Sequence, residues 1–220
     1  MLNIDGFGSG FNAGLIIDGR GGNDIANWNT IQVPASLNIT GETINLNSGS
    51  VSTLGSQTLN GAVVATANTI LSGSNIVSIG SFQTGSTTVT LVDPDGVELR
   101  GVAIVGGGGS LISATGFQLA PGGALTGKGT VTGSVIAGPA SNVSPGLSPG
   151  LLTTDSITFQ PGATFVVEID STIPGEGHDQ LVVNGTVDLG GATLDATLLS
   201  ASQTGEEFVI IANDGNDPIV

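Results

Sequence analysis

Apolar and polar side chains alternate over short runs along the whole chain, as in Leu37-Asn38-Ile39, Thr43-Ile44-Asn45-Leu46, Thr88-Val89-Thr90-Leu91, Gly129-Thr130-Val131-Thr132 and Ala192-Thr193-Leu194-Asp195-Ala196-Thr197-Leu198. Successive side chains of a strand point to opposite faces, so a period of two predicts half-buried β-strands. Nowhere do Ala, Leu, Glu, Lys and Arg gather at a period of 3.6 over three turns, and no helix is predicted. Turn signals such as Ser48-Gly49, Ser72-Gly73, Asp95-Gly96, Pro121-Gly122-Gly123, Pro161-Gly162, Asn184-Gly185 and Gly190-Gly191 cut the chain into strands of about four to eight residues.

Strands this short and numerous fit a sandwich, a barrel or a β-helix, and repetition separates them. Leu59-Asn60-Gly61-Ala62-Val63, Leu71-Ser72-Gly73-Ser74-Asn75-Ile76-Val77 and Leu125-Thr126-Gly127-Lys128-Gly129-Thr130-Val131 all read apolar, polar, Gly, then a β-branched strand. An imperfect period of a few tens of residues is the mark of a solenoid. The expected fold is therefore all-β, a right-handed parallel β-helix, with a β-sandwich as the alternative. Residues 1–138 read as the β-helix repeat region, interrupted by the glycine run Gly106-Gly107-Gly108-Gly109. Residues 139–150, containing Val143-Ser144-Pro145-Gly146-Leu147-Ser148-Pro149-Gly150, read as a Pro/Gly-rich bend. Residues 151–220 form a C-terminal β region that either closes the helix or makes a sandwich-like cap. Its apolar strand Phe208-Val209-Ile210-Ile211 has no partner after it, so the sequence is expected to continue beyond Val220.

Composition supports a folded chain. Hydrophobic residues make up 39% of the 220 positions and charged residues only 10%, with 37 glycines, the reverse of a disordered composition. Gly, Ser, Thr or Asn interrupts each apolar run well before the roughly 18 residues of a spanning helix. The start, Met1-Leu2-Asn3-Ile4-Asp5-Gly6, lacks the basic and apolar regions of a signal peptide, so an export signal is expected upstream. Eighteen acids stand against Arg20, Arg100 and Lys128, a formal charge of −15 that opposes a phosphate backbone and argues against nucleic-acid binding. The absence of cysteine removes disulfides, zinc–thiolate sites and thiol nucleophiles together.

A succession of motifs over residues 124–211 resembles bacterial proteins with autotransporter-associated β-strand repeats. After Leu125-Thr126-Gly127-Lys128-Gly129-Thr130-Val131 and the Pro-Gly segment come Gly162-Ala163-Thr164-Phe165-Val166-Val167-Glu168-Ile169, His178-Asp179-Gln180-Leu181-Val182-Val183-Asn184-Gly185, Leu189-Gly190-Gly191-Ala192-Thr193-Leu194 and Gly205-Glu206-Glu207-Phe208-Val209-Ile210. The resemblance implies a passenger-type parallel β-helix at a bacterial cell surface or outside the cell, serving as stalk, adhesin or matrix component. It carries over no catalytic residue, and no outer-membrane barrel lies in this sequence.

Several constellations invite chemistry. His178-Asp179 suggests a catalytic triad, but neighbours on an extended strand point apart and no Gly-x-Ser-x-Gly elbow supplies the serine, so Asp179 reads as a cap on backbone amides. Gly122-Gly123-Ala124-Leu125-Thr126-Gly127-Lys128 imitates a phosphate loop, with Gly129 where a Ser or Thr belongs and a strand where a helix is needed. Gly8-Ser9-Gly10-Phe11-Asn12-Ala13 imitates a dinucleotide fingerprint on the wrong side of its apolar run. Calcium is the credible metal, with Asp18, Asp24, Asp214 and Asp217 as candidate ligands. These motifs stand alone, whereas calcium β-rolls repeat a nonapeptide in tandem, so ordinary Asx turns compete with that reading. No other cofactor is expected.

An enzyme of the polysaccharide lyase or glycoside hydrolase kind needs acids presented together on successive rungs. Asp93, Asp95 and Glu98, or Glu168 with Asp170, are the candidates. One Trp and no Tyr make a poor sugar-binding groove of the usual aromatic sort. The reading is therefore a non-enzymatic structural and adhesive scaffold, with glycans or other cell-surface molecules as partners. A glycan-active enzyme and a calcium-binding surface-layer or matrix module are the alternatives.

Overall fold

A computed structural model describes residues 2–4, 15–18, 25–28, 31–33, 35–47, 49–78, 80–147, 149–201 and 204–220. Among the described residues there is no helix, and every pairing between strands is parallel. The pairings resolve into three ladders visited in turn. The first holds nine strands: Ile31–Val33, Gly49–Thr53, Thr69–Ser72, Thr88–Val92, Ser110–Ile112, Thr130–Thr132, Leu151–Thr154, Gln180–Val183 and Ile211–Asn213. The second runs through Ile76–Ser78, Val97–Leu99, Phe117–Leu119, Val135–Ala137, Ile157–Phe159 and Val187–Asp188. The third runs through Phe82–Gln83, Val102–Val105, Ala124–Gly127, Asn142–Pro145, Thr164–Ile169 and Thr193–Leu198. Two early strands, Leu37–Leu46 and Gln57–Ala65, are long enough to serve the second and third ladders at once.

This is a parallel β-helix. A sandwich needs antiparallel sheets packed face to face, and the pairing gives none. The last block continues all three ladders through Gln180–Val183, Val187–Asp188 and Thr193–Leu198. The period is readable on the first ladder: Val51 lies opposite Leu71, Leu71 opposite Leu91, Val89 opposite Leu111, and Leu111 opposite Val131. Later rungs lengthen, with Leu152 opposite Leu181 and Leu181 opposite Ile211. Within the segment 139–150, Asn142–Pro145 is a strand paired on both sides, to Ala124–Gly127 and Thr164–Ile169.

Alternation sends every second side chain into one continuous core. On the second ladder Val97, Phe117, Val135, Ile157 and Val187 stack in register and are all buried. On the third, Phe82, Ala103, Leu125, Val143 and Phe165 do the same. Each fully buried Val, Leu or Phe contributes about 1.5–3 kcal/mol relative to exposure. Phe159 and Phe165 meet edge to face with ring centres 5.8 Å apart, joining the second and third ladders across the interior. Where backbone must pass close over backbone, glycine is required. Gly127 has φ +127°, and a Cβ there would run into the Val105 carbonyl of the rung below. Thr193–Leu198, the last strand of the third ladder, is exposed on both faces, because among the described residues no further strand of that ladder lies over it.

Candidate functional site

The acids named from sequence are placed in unlike ways. Asp93 is buried at a corner, where its carboxylate accepts the backbone N–H groups of Asn75 (3.1 Å), Ile76 and Asp95 (3.0 Å), while its carbonyl accepts the Thr115 hydroxyl (2.5 Å). Asn75 belongs to the preceding rung and Thr115 to the following one, so Asp93 clasps three rungs. Asn75 sits at φ +57°, a conformation Asn tolerates better than most residues. Asp95 and Glu98 lie in an open groove with Asn75, Gln118, Ser134 and Ile136. Glu98 forms an ion pair with Arg100 at 2.9 Å on the surface. Of the three acids, two share a groove and the third is committed to the backbone.

Glu168 is half-buried near the end of Thr164–Ile169, and Asp170 is exposed just beyond it. Asp170 belongs to the following loop, its N–H donating to the Gly177 carbonyl at 2.7 Å and its own carbonyl accepting the Ser200 hydroxyl at 2.6 Å. The groove that contains Glu168 brings in Asp179, along with Thr126, Ser144, Gly146 and Val166. Asp179 is buried, and its two carboxylate oxygens accept Gly150 N–H (2.8 Å) and Glu168 N–H (2.9 Å). Burial raises the Asp179 carboxyl above the ordinary aspartate range, and the Glu168 charge adds to this. The two amides and Lys128 oppose it.

His178 points the other way from Asp179, as extended neighbours must. Its ring nitrogens face main-chain carbonyls, Nδ1 3.0 Å from Ser171 and Nε2 3.3 Å from Val209, and its ring meets Phe208 edge to face at 5.6 Å. A triad needs a hydroxyl on one nitrogen and a carboxylate on the other. Here carbonyls take both places, and the imidazole ties the loop 170–177 to the last rung.

No protein-family model, no curated protein and no solved structure matches the chain. Its chemistry is thus the chemistry of these side chains. The candidate calcium ligands are dispersed. Asp18 ends the strand Leu15–Asp18 and is exposed, and Asp24 lies outside the described residues. Asp214 accepts the Asn216 N–H (2.9 Å) and its side-chain amide (3.2 Å), an Asx turn, while the carbonyl of Asp217 accepts the Asn213 side-chain amide at 2.9 Å. Among the described residues no three of His, Cys, Asp and Glu gather as a metal site. The phosphate-loop imitation at 122–128 is occupied by the strand Ala124–Gly127, and the segment 8–13 lies outside the described residues. Among the described residues, no helix is long and apolar enough to cross a membrane.

Sequence reasoning missed the cross-rung clasps. An acid beside a turn, Asp93 before Pro94-Asp95-Gly96 or Asp179 after Pro174-Gly175-Glu176-Gly177, signals only local capping of backbone amides. Its partners in other rungs, Asn75 and Thr115 for Asp93 and Gly150 for Asp179, depend on rung length, which no local motif encodes.

Proposed function

We propose that the chain is a structural and adhesive scaffold, a stiff stretch of a bacterial cell-surface or secreted protein that extends and displays. The observation that carries this reading is the unbroken nine-strand ladder over a continuous core of aliphatic and aromatic side chains. Such a ladder transmits load along its axis through backbone hydrogen bonds, and each rung depends only on its neighbours. The buried ionisable side chains Asp93, Asp179 and His178 bind backbone in adjoining rungs, which suits a load-bearing element better than a reaction centre. No catalytic residue is assigned.

At about 4.8 Å per rung, nine strands span on the order of 40 Å. Small-angle scattering should return a rod of that length. Excising residues 111–130, one rung in register, should shorten the rod by about 4.8 Å and leave cooperative unfolding intact. Loss of folding on excision would overturn the modular scaffold, and release of reducing or unsaturated ends from polysaccharide would favour the enzyme. Calcium chelation is expected to leave the thermal midpoint unchanged; a drop would favour the matrix-module alternative.

A further inference from the structure

The charges are not spread evenly around the solenoid. On the second and third ladders, outward positions within strands carry Glu98, Glu168, Asp188 and Asp195. On the first ladder, from Gly49–Thr53 to Ile211–Asn213, the strands contain no acid and no base, although the chain as a whole carries −15. The outward side chains there are hydroxyls and aliphatics in register. Thr88, Ser110, Thr130 and Thr153 form one row, and Ile70, Thr90, Ile112 and Thr132 form the next. Ile70, Val92 and Leu151 are 46%, 51% and 39% exposed.

We propose that this face binds a neutral, extended β-linked polysaccharide lying along the solenoid axis. Three features select that occupant. Neutrality matches neutrality: an anionic polymer would meet the repulsion of the flanking acids, and a polycation would find its partners on the other two ladders. The repeat is one-dimensional and regular, with hydroxyl and aliphatic side chains offered in rows whose rungs are about 4.8 Å apart, close to the advance of one sugar along an extended chain. A sugar presents the same mixture, hydroxyls at its rim and C–H groups on its face. Each contact is weak, and affinity comes from many engaged at once, so long polymers bind and single sugars do not. The proposal rests on the scaffold reading, because it uses the ladder's rigidity to keep the rows in register.

The test is retention on insoluble cellulose and on soluble mixed-linkage β-glucan, with alginate as the anionic control. The intact chain should be retained on the neutral polymers, with little sensitivity to salt, and not on alginate. The pair Ser110→Glu and Thr153→Glu should reduce retention at least about tenfold. The pair Thr130→Val and Thr153→Val, which keeps shape and strand propensity, should reduce it by less. Asn142→Glu, exposed on the third ladder, should change nothing. Thermal midpoints identify any variant that fails to fold, in which case the Val pair decides. Absence of retention, equal loss in Asn142→Glu, preference for alginate, or a dimer through this face that accounts for the loss would each overturn the proposal. None of these outcomes alters the rod length or the excision result, so the scaffold reading stands or falls separately.

Discussion

The rungs between residues 49 and 132 and those between 151 and 220 are built from the same alternation, yet they bury it differently. In the earlier block Ile76, Val77 and Ser78 are all buried, although the triplet does not alternate. In the later block, 193–198 alternates more cleanly than almost any segment of the chain, and all six residues are exposed. Leu194, Ala196 and Leu198 stand in register over Phe165, Val167 and Ile169 and so are aimed as core residues are. They lack only a strand above them. Burial in a solenoid is thus a property of the stack, conferred by two neighbouring rungs, and a strand's own pattern determines only which side is ready to be covered.

The largest test of that contrast is truncation of equivalent leucines. Leu111, fully buried between two rungs, should cost about 2–5 kcal/mol on replacement by Ala, while Leu194→Ala, at 53% exposed, should cost below about 1 kcal/mol. Chemical denaturation measures both, and equal costs would mean that the terminal strand is covered in solution. The same contrast holds for backbone. Gly127→Ala should destabilise by about 2–3 kcal/mol, since both its φ and the Val105 carbonyl oppose a side chain. Gly205 has a positive φ of 97° but open space around it, and its Ala variant should lose only about 1 kcal/mol.

The smallest effect concerns the clasp at Asp179, which belongs to the lengthened rungs. Its carboxyl is raised by burial, so the folded chain holds that proton at pH values where the unfolded chain has released it. Stability from this group is therefore present below the ordinary aspartate value of about 3.9 and declines as pH rises from there through the raised value. Asp179→Asn should flatten that decline in a pH series of denaturation midpoints. Where Asp179 is ionised the substitution should also lower stability, since an amide has a single accepting oxygen where the carboxylate offers one to Gly150 and one to Glu168. A slope unchanged by the substitution would place the proton elsewhere.

Much of the architecture was legible in the sequence. Strands at Thr88–Val92, Thr130–Thr132 and Thr193–Leu198 follow from period-two alternation, and the solenoid follows from repeated Gly-punctuated units. The strand at Ile76 and Val77 was legible as the β-branched end of a repeat unit, but the burial of Val77 on the outer side was not, because it depends on its surroundings rather than on its neighbours in sequence. Register was not legible either, since Val51 and Leu71 are 20 residues apart while Leu181 and Ile211 are 30 apart. The acids suffered most from this. Asp93 and Asp95 look alike in sequence, but Asp93 turns inward onto amides of the preceding rung while Asp95 faces a groove.

Parallel sheets ordinarily form slowly, because partner strands are separated by long crossovers whose ends must find each other. Here each strand's partner is one circuit away, some 20–30 residues along the chain. The mean separation of contacts is on the order of a tenth of the chain length, a value typical of fast-folding helical proteins. Growth can therefore proceed by accretion, each completed circuit serving as template for the next, with no need for the ends of the chain to meet.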